Sequence, residues 1–181
     1  LVEERSAEVF LRGLVPRIVP NSVSLQFRAF EGKQDLEKRL IVQLRGWQRP
    51  DTRFIVLRDQ DSEDCRVVKE RLVELCRRAG RPDALVRVAC HELESWYMGD
   101  LATLEQALGI SGLARHQRKS IAREPDSTPD PANELQRMTR SRFQKVAGAR
   151  GMGPLIEIDD NLSTSFLQFV EGVRRLVGET G

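Results

Sequence analysis

Cysteine is scarce in this sequence. Cys65, Cys76 and Cys90 are its only three, an odd number with no C-x-x-C spacing, which argues against a disulfide framework and a zinc knuckle and leaves buried reduced thiols as the simpler reading. Histidine is scarcer still: His91 and His116 have no H-x-x-x-H or C-x-x-C partner to make a zinc site. No apolar run approaches the roughly 18 to 20 residues that a membrane span requires. The opening Leu1-Val2-Glu3-Glu4-Arg5 lacks the basic and then apolar pattern of a signal peptide. The expected setting is therefore the cytoplasm, away from membranes. Also absent are the nucleophile elbow of a Ser-His-Asp hydrolase and the D-x-D-x-T pattern of an aspartyl phosphohydrolase. Gly32-Lys33 lacks the earlier glycine and the following Ser or Thr of a phosphate loop. No internal repeat is present.

What remains suits one folded domain of 181 residues, 40% hydrophobic and 31% charged. Its 29 basic and 27 acidic side chains leave a net charge of only +2, but the distribution is uneven. Residues 115 to 150 carry nine Lys or Arg against four Asp or Glu. Arg115, Arg118, Lys119, Arg137, Arg140, Arg142 and Lys145 could thus follow a phosphate backbone, the alternative being a solvated helical surface.

Apolar spacing sets the expected elements. Ala7, Phe10, Leu11, Leu14, Val15 and Ile18 share one helical face, with Ser6 as a suitable cap and Pro20-Asn21 as a stop. Alternation over Ser22 to Phe30 predicts a half-buried edge strand, and Leu36, Leu40, Ile41 and Leu44 predict a second helix. Phe54-Ile55-Val56-Leu57 has the continuous apolar character of a strand covered on both faces. Val68, Leu72, Leu75, Cys76 and Ala79 mark a third helix, stopped by Gly80-Arg81-Pro82. Ala84 to Cys90 is another strand. Beyond Glu92 the pattern is helical, with Glu124 to Pro131 an exposed loop and a last helix capped by Ser163 or Ser165. The expected fold is an α/β layer structure: a mainly parallel sheet with helices on both faces and a helical C-terminal extension. A single domain over 1–181 would then divide into an α/β core at 1–100 and a helical, partly basic extension at 101–181.

In such sheets ligands collect beyond the carboxyl ends of the strands. Three expected ends carry acids: Glu3 and Glu4, Asp59 and Asp61, Glu92 and Glu94. Alternate residues of an extended segment share a side, so Asp59 and Asp61 can face one cation. Several hard carboxylate oxygens at one edge are what Mg²⁺ or Mn²⁺ requires. Helix capping is the competing account of Asp61 and of the residues after it, but it leaves Asp59, directly on an apolar strand, unexplained.

The acid at the first strand, in Leu1-Val2-Glu3-Glu4, and the Asp-x-Asp of Ile55-Val56-Leu57-Arg58-Asp59-Gln60-Asp61 resemble the signature of the Toprim fold. Over nearly its full length the chain is more closely similar to a prokaryotic domain-of-unknown-function family that is Toprim-like and akin to the RloB-like proteins. The likeness is carried by Leu1 to Ser6, Phe30-Glu31-Gly32-Lys33, Asp59 to Lys69, Arg87 to Asp100, Lys145-Val146-Ala147 and Ser163-Thr164-Ser165-Phe166. Toprim domains serve topoisomerases, primases and nucleases of the overcoming-lysogenization-defect kind, which act on phosphodiesters with Mg²⁺. The resemblance implies Glu3 or Glu4 as general acid/base, and Asp59, Asp61 and Glu3 as metal ligands. It also implies a defence or mobile-element setting, often with a partner ATPase. The chain departs from the pattern where Glu4 replaces the usual glycine after the acid and where no glycine follows Asp-x-Asp.

The resulting expectation is a Mg²⁺-dependent phosphoryl-transfer enzyme, a nuclease cutting DNA or RNA. In it the basic segment holds the backbone and Lys145 neutralises charge developing on the phosphate. A non-catalytic binding module docked on a partner ATPase is the rival from another class.

Overall fold

The computed structural model describes residues 1–118 and 120–178. Two parallel strands, β1 (Ile55–Asp59) and β2 (Leu85–Ala89), lie in register with Ile55 opposite Leu85 and Asp59 opposite Ala89. They are joined through α3 (Cys65–Arg78), whose Asp64 N-cap accepts hydrogen bonds from the amides of Arg66 and Val67. The pairing expected between the segments around Phe54–Leu57 and Ala84–Ala89 is present. The flanking segments contribute less than a strand each. Val2 forms single parallel bridges to Ala29 on one side and Leu57 on the other. Val23 to Arg28 keep the alternation of a half-buried edge but make no ladder: Val23 is exposed, while Leu25 and Phe27 pack on the core. One bridge at Val2 is too little to extend pairing along them.

Alternation along β1 sorts the molecule into two layers, because successive side chains of a strand point to opposite faces. Val56 and Val86 pack with Leu36, Leu40 and Leu44 of α2 (Lys33–Arg45) and with Val68, Leu72 and Cys76 of α3. Leu57 and Ala89, with Ile55 and Leu85 beside them, face the larger cluster. There Phe10 and Leu14 of α1 (Arg5–Leu14) meet Trp96 and Tyr97 of α4 (Glu94–Met98), with Leu101 and Leu104 of α5 (Leu101–Leu108) alongside. The same cluster takes Ala122 of α6 (Ser120–Arg123), Phe143 just before α8 (Lys145–Met152), Ala149 and Met152 within α8, and Phe166, Phe169 and Val173 of α9 (Thr164–Val177). The helices after residue 100 therefore complete one face of the sheet and share its core. Of the cysteines, Cys76 is buried, whereas Cys65 and Cys90 are half-buried free thiols.

The segment Glu124 to Pro131, expected to be an exposed loop, is instead anchored. Pro125 and Thr128 are buried in and beside a 3-10 turn over Pro125–Ser127. Asp126 accepts from Ser163 Oγ at 2.7 Å, from Ser165 Oγ at 3.0 Å and from the Ser165 amide at 2.7 Å. Ser163 is the N-cap of α9, its Oγ accepting from the Phe166 amide. Asp126 thus stabilises the start of α9 from a distance in sequence that no local pattern reveals.

Helices α1 and α8 lie side by side in the same direction. At their N-terminal ends Lys145 Nζ is 4.0 Å from Glu4 Oε1, and at their C-terminal ends the backbones touch. A Cβ built on Gly153 would lie 2.4 Å from Phe10 O, and one on Gly13 would lie 2.7 Å from Pro154 N. Both glycines are therefore required by close approach. Gly153→Ala is expected to cost about 1 to 3 kcal/mol by overpacking, measured as a lower urea midpoint with an unchanged slope. An unchanged midpoint would show that the two backbones do not meet there.

Candidate functional site: a carboxylate cluster at the end of the sheet

Four segments deliver carboxylates beyond the carboxyl end of β1 and β2. Asp59 is the last residue of β1 and is buried, at 8% exposure; its Oδ1 accepts from the Leu93 amide at 3.0 Å. Glu94 begins α4 and is 1% exposed, with Oε2 making no hydrogen bond. Glu92 lies in the turn between β2 and α4, and its Oε2 accepts from the Ala132 amide in the first turn of α7 (Pro131–Met138) at 3.0 Å. Glu4 is the N-cap position of α1 and accepts a hydrogen bond from Ser6 Oγ.

One cation faces them. Lys145 Nζ, in the first turn of α8, is 3.4 Å from Glu92 Oε1, 3.7 Å from Glu94 Oε2 and 4.0 Å from Glu4 Oε1. The Glu94 separation is an ion-pair distance too long for a hydrogen bond, so its buried oxygen remains without a donor. Burial, and then the charges of Glu94, Glu3 and Glu4, push the Asp59 carboxyl well above the usual range. Burial raises Glu94 to about 7. Lys145 is raised by Glu94, Glu4, Glu92 and Asp59, which together outweigh its own desolvation.

A second polar group was not visible in the sequence. The Tyr97 hydroxyl is fully buried without a hydrogen-bond partner, and burial with the charges of Glu94, Asp59 and Glu4 makes its ionisation much harder. Trp96 and Tyr97 read as core packing, and Tyr97 does pack its ring 5.2 Å from Phe10 and 6.2 Å from Phe143. The available signal was the i,i+3 spacing of Glu94 and Tyr97, which places both on one face of α4.

Asp61 is not part of this cluster. The alternation that would set it beside Asp59 fails because extended backbone ends at the strand: Asp61 adopts φ 56° while its amide donates to His91 O at 2.7 Å. Its carboxylate instead lies 2.9 Å from Lys33 Nζ and 3.5 Å from Arg58 Nη2. Glu3 stands between the two groups. Its Oε2 accepts from the Asp59 amide at 3.3 Å and is 3.6 Å from Arg58 Nε, and burial with the nearby Asp61 charge raises its carboxyl.

The basic segment divides as well. Arg115, Arg137, Arg140 and Arg142 line one cavity of about 600 Å³. Arg118 is an exposed residue ending a 3-10 turn, Ala114–Arg118. Lys119 lies outside the described residues. Lys145, counted with the basic surface in the sequence, belongs to the carboxylate cluster.

Comparison with known families matches residues 2–174 to one described as a domain of unknown function, DUF4276. The chain belongs to the DUF4276 family. Neither the curated proteins nor the solved structures include a match. Within this DUF4276 chain no helix among the described residues is long and apolar enough to cross a membrane. Among those residues, too, no three His, Cys, Asp or Glu side chains stand preset to hold a metal ion, the cluster acids being drawn toward Lys145. The donor set itself is hard oxygen, one of its buried oxygens lacks a partner, and four carboxylates face a single ammonium; these features fit an oxygen-seeking divalent cation.

The raised Glu94 carboxyl has a consequence for stability. In the folded chain Glu94 holds its proton to about pH 7, against an ordinary value of 4.5. The folded state thus binds more protons between those values, and stability falls as pH rises through that window. Asp59, displaced in the same direction, adds to the trend. In a chelator-containing buffer, urea unfolding of the wild type is expected to lose on the order of 3 kcal/mol between pH 4.5 and 7.5, and Glu94→Gln should remove most of that dependence. A variant retaining the full slope would place the proton elsewhere.

Proposed function

We propose that the chain is a Mg²⁺-dependent phosphoryl-transfer enzyme, a nuclease acting on DNA or RNA phosphodiesters, on a Toprim-like sheet. The observation that carries this reading is the excess of carboxylate over cation at the carboxyl end of the parallel strands, where ligands of open α/β sheets collect. Asp59, Glu94 and Glu4 are the side chains that would hold the ion, with Glu3 supporting Asp59 through its amide. When bound, Mg²⁺ supplies charge neutralisation at a phosphate and a lowered pKa for a water.

The chain's own groups have distinct work. Glu4, with its carboxylate partly open to solvent and held by Ser6, is the group able to accept a proton from an attacking water. Lys145, also partly open, is placed to neutralise charge on the transferred phosphate once its carboxylate partners are engaged elsewhere. Tyr97 keeps its proton and can donate a hydrogen bond into the cluster. Asp61 acts on this reading through the adjacent ion-pair network rather than on the phosphate.

The binding-module reading draws on one observation, that Lys145 already stands at ion-pair distance from three cluster acids. Incubation of the purified chain with Mn²⁺ or Mg²⁺ and labelled single- and double-stranded DNA and RNA separates the two. Cleavage is expected, with Asp59→Asn and Glu94→Gln each lowering the rate at least 100-fold and Lys145→Met about 100-fold, while Asp61→Asn acts mainly on stability. Wild-type cleavage by an Asp59→Asn/Glu94→Gln double variant would refute this site. Absence of cleavage, with or without a partner ATPase, would favour the binding module.

A further inference from the structure

The cavity of about 600 Å³ at the far end of α7 is not used by the chemistry above. Its size lies within the range of small-ligand sites. Arg137 is held by Glu134 at 2.7 Å, but Arg115, Arg140 and Arg142 face the cavity with no carboxylate partner among the described residues. In this protein many arginines, including Arg12, Arg58, Arg71, Arg77 and Arg174, are tied to acids. Three arginines without an ion pair, lining one concavity, therefore form a local demand for an anion.

The arrangement is built by the backbone. Arg140 and Ser141 take φ 53° and 63°, two consecutive left-handed residues of a kind that L side chains adopt only when surrounding structure holds them. Here the Ser141 amide donates to Gln136 O at 2.7 Å to close α7, and the Phe143 amide donates to Thr139 Oγ1 at 3.0 Å. Phe143 is fully buried, packed on Tyr97 and against Gly148, where a Cβ would come within 2.4 Å of its ring. The turn carrying Arg140 and Arg142 is thus pinned to the core. From another segment, Gly112, with φ 85°, turns the chain beside the Arg115 guanidinium, which lies 3.6 Å from the position a Cβ would take.

Charge and shape together select the ligand. A carboxylate offers one charge and two oxygens, whereas a phosphate offers more oxygens to several guanidinium forks arriving from different segments. Half-buried Ile110 and Met138 add an apolar wall suited to a base or sugar. We infer that this cleft binds a nucleoside phosphate, as one unit of a single-stranded nucleic acid whose neighbouring part reaches the carboxylate cluster. The Glu92 contact to Ala132 fixes the cluster at the start of α7, while the cleft lies at its end. From Ala132 to Met138 the helix advances roughly 9 Å at 1.5 Å per residue, about three nucleotides at a rise of 3.4 Å.

The inference rests on the nucleic-acid part of the proposed function but not on catalysis, and binding in chelator tests it alone. The measurement is fluorescence anisotropy of a labelled 12-nucleotide single strand with the full-length chain over a salt series. Arg140→Gln/Arg142→Gln is expected to weaken binding at least tenfold and to lower the salt slope by about 1.4, two contacts at roughly 0.7 each. The charge-matched double Arg49→Gln/Arg53→Gln, at exposed sites away from the cleft, should stay within twofold of wild type. Displacement of the strand by a free mononucleotide, lost in the Arg140/Arg142 variant, supports the cleft and shows that one nucleoside phosphate suffices. Displacement by the strand's own unlabelled form but not by the mononucleotide supports it as a subsite for a strand. Equal loss in the charge-matched double would reduce the effect to diffuse charge and overturn the inference. So would displacement by polyglutamate at the same charge concentration as the oligonucleotide. Cleavage that fails while this binding stands would sink the nuclease reading and leave the cleft intact.

Discussion

Adjacent residues of a strand project to opposite faces, and at the end of β1 this rule sets a buried cation back to back with a buried acid. Arg58 points into the α2/α3 layer with its side chain wholly inaccessible, and Asp59 points into the layer of α1, α4 and α8. Neither charge can be left alone, because an isolated ion away from water costs several kcal/mol. The surroundings of each are accordingly built from charged groups on separate segments, and the order of those segments in space follows from that need.

The two solutions differ in kind. Around Arg58 the charges nearly balance: Glu37 at 2.9 Å, Glu63 at 2.5 Å, and Glu3 and Asp61 at 3.6 and 3.5 Å face Arg58 together with Arg71 and Lys33. Arg71 binds both Glu37 and Glu63, so α2, α3 and the turn after β1 are tied at one point. The two guanidiniums hold Glu63 down to about 2, which marks a carboxylate that stays charged and engaged. Around Asp59 the balance fails: four carboxylates meet Lys145 alone, burial and then neighbouring charges raise the Asp59 and Glu94 carboxyls, and one Glu94 oxygen has no partner. A saturated network makes a scaffold. An undersupplied one has capacity for a further cation, and undersupply next to a scaffold is where perturbed groups signal chemistry.

Much of this was legible in the sequence because it is written locally. The helical stripes through Leu36, Leu40 and Leu44 and through Val68, Leu72 and Cys76 are periodic. The acids Asp59, Glu92 and Glu94 flank apolar runs, so their place at strand ends follows from pattern alone. What escaped depends on contacts between remote residues or on backbone angles with no fixed sequence mark. Left-handed φ at Asp61 and His91 turns the chain after each strand and parts Asp61 from Asp59, although neither residue is a glycine. Asp126 reads as a loop residue until Ser163 and Ser165 arrive from another element. The Ser22 to Phe30 alternation was real in burial, yet among the described residues its pairing is confined to the single bridge between Ala29 and Val2. Lys145 reads with the basic segment and as the cation facing the phosphate, but its carboxylate neighbours are hidden, since nothing near it in sequence announces that α8 runs beside α1.

That displacement of Lys145 changes how the basic segment and the acids relate. With it assigned to the cluster, Arg115, Arg137, Arg140 and Arg142 line the cleft toward the opposite end of α7, so the helix separates a negative site from a positive one. On the proposed reading a phosphodiester strand is held first at the arginines, which outnumber Glu134 among the residues lining the cleft. The same strand is repelled at the cluster for as long as charged carboxylates outnumber the one ammonium there, since like charges at short range in a partly buried site are weakly screened. Supplying divalent charge at the cluster removes that repulsion and leaves the arginine cleft unchanged. Attachment of the strand is then independent of the metal, and only its entry to the reacting position requires one. This ordering would keep a bound strand intact wherever divalent cation is lacking, and it follows from the spacing of two oppositely charged sites along a single helix.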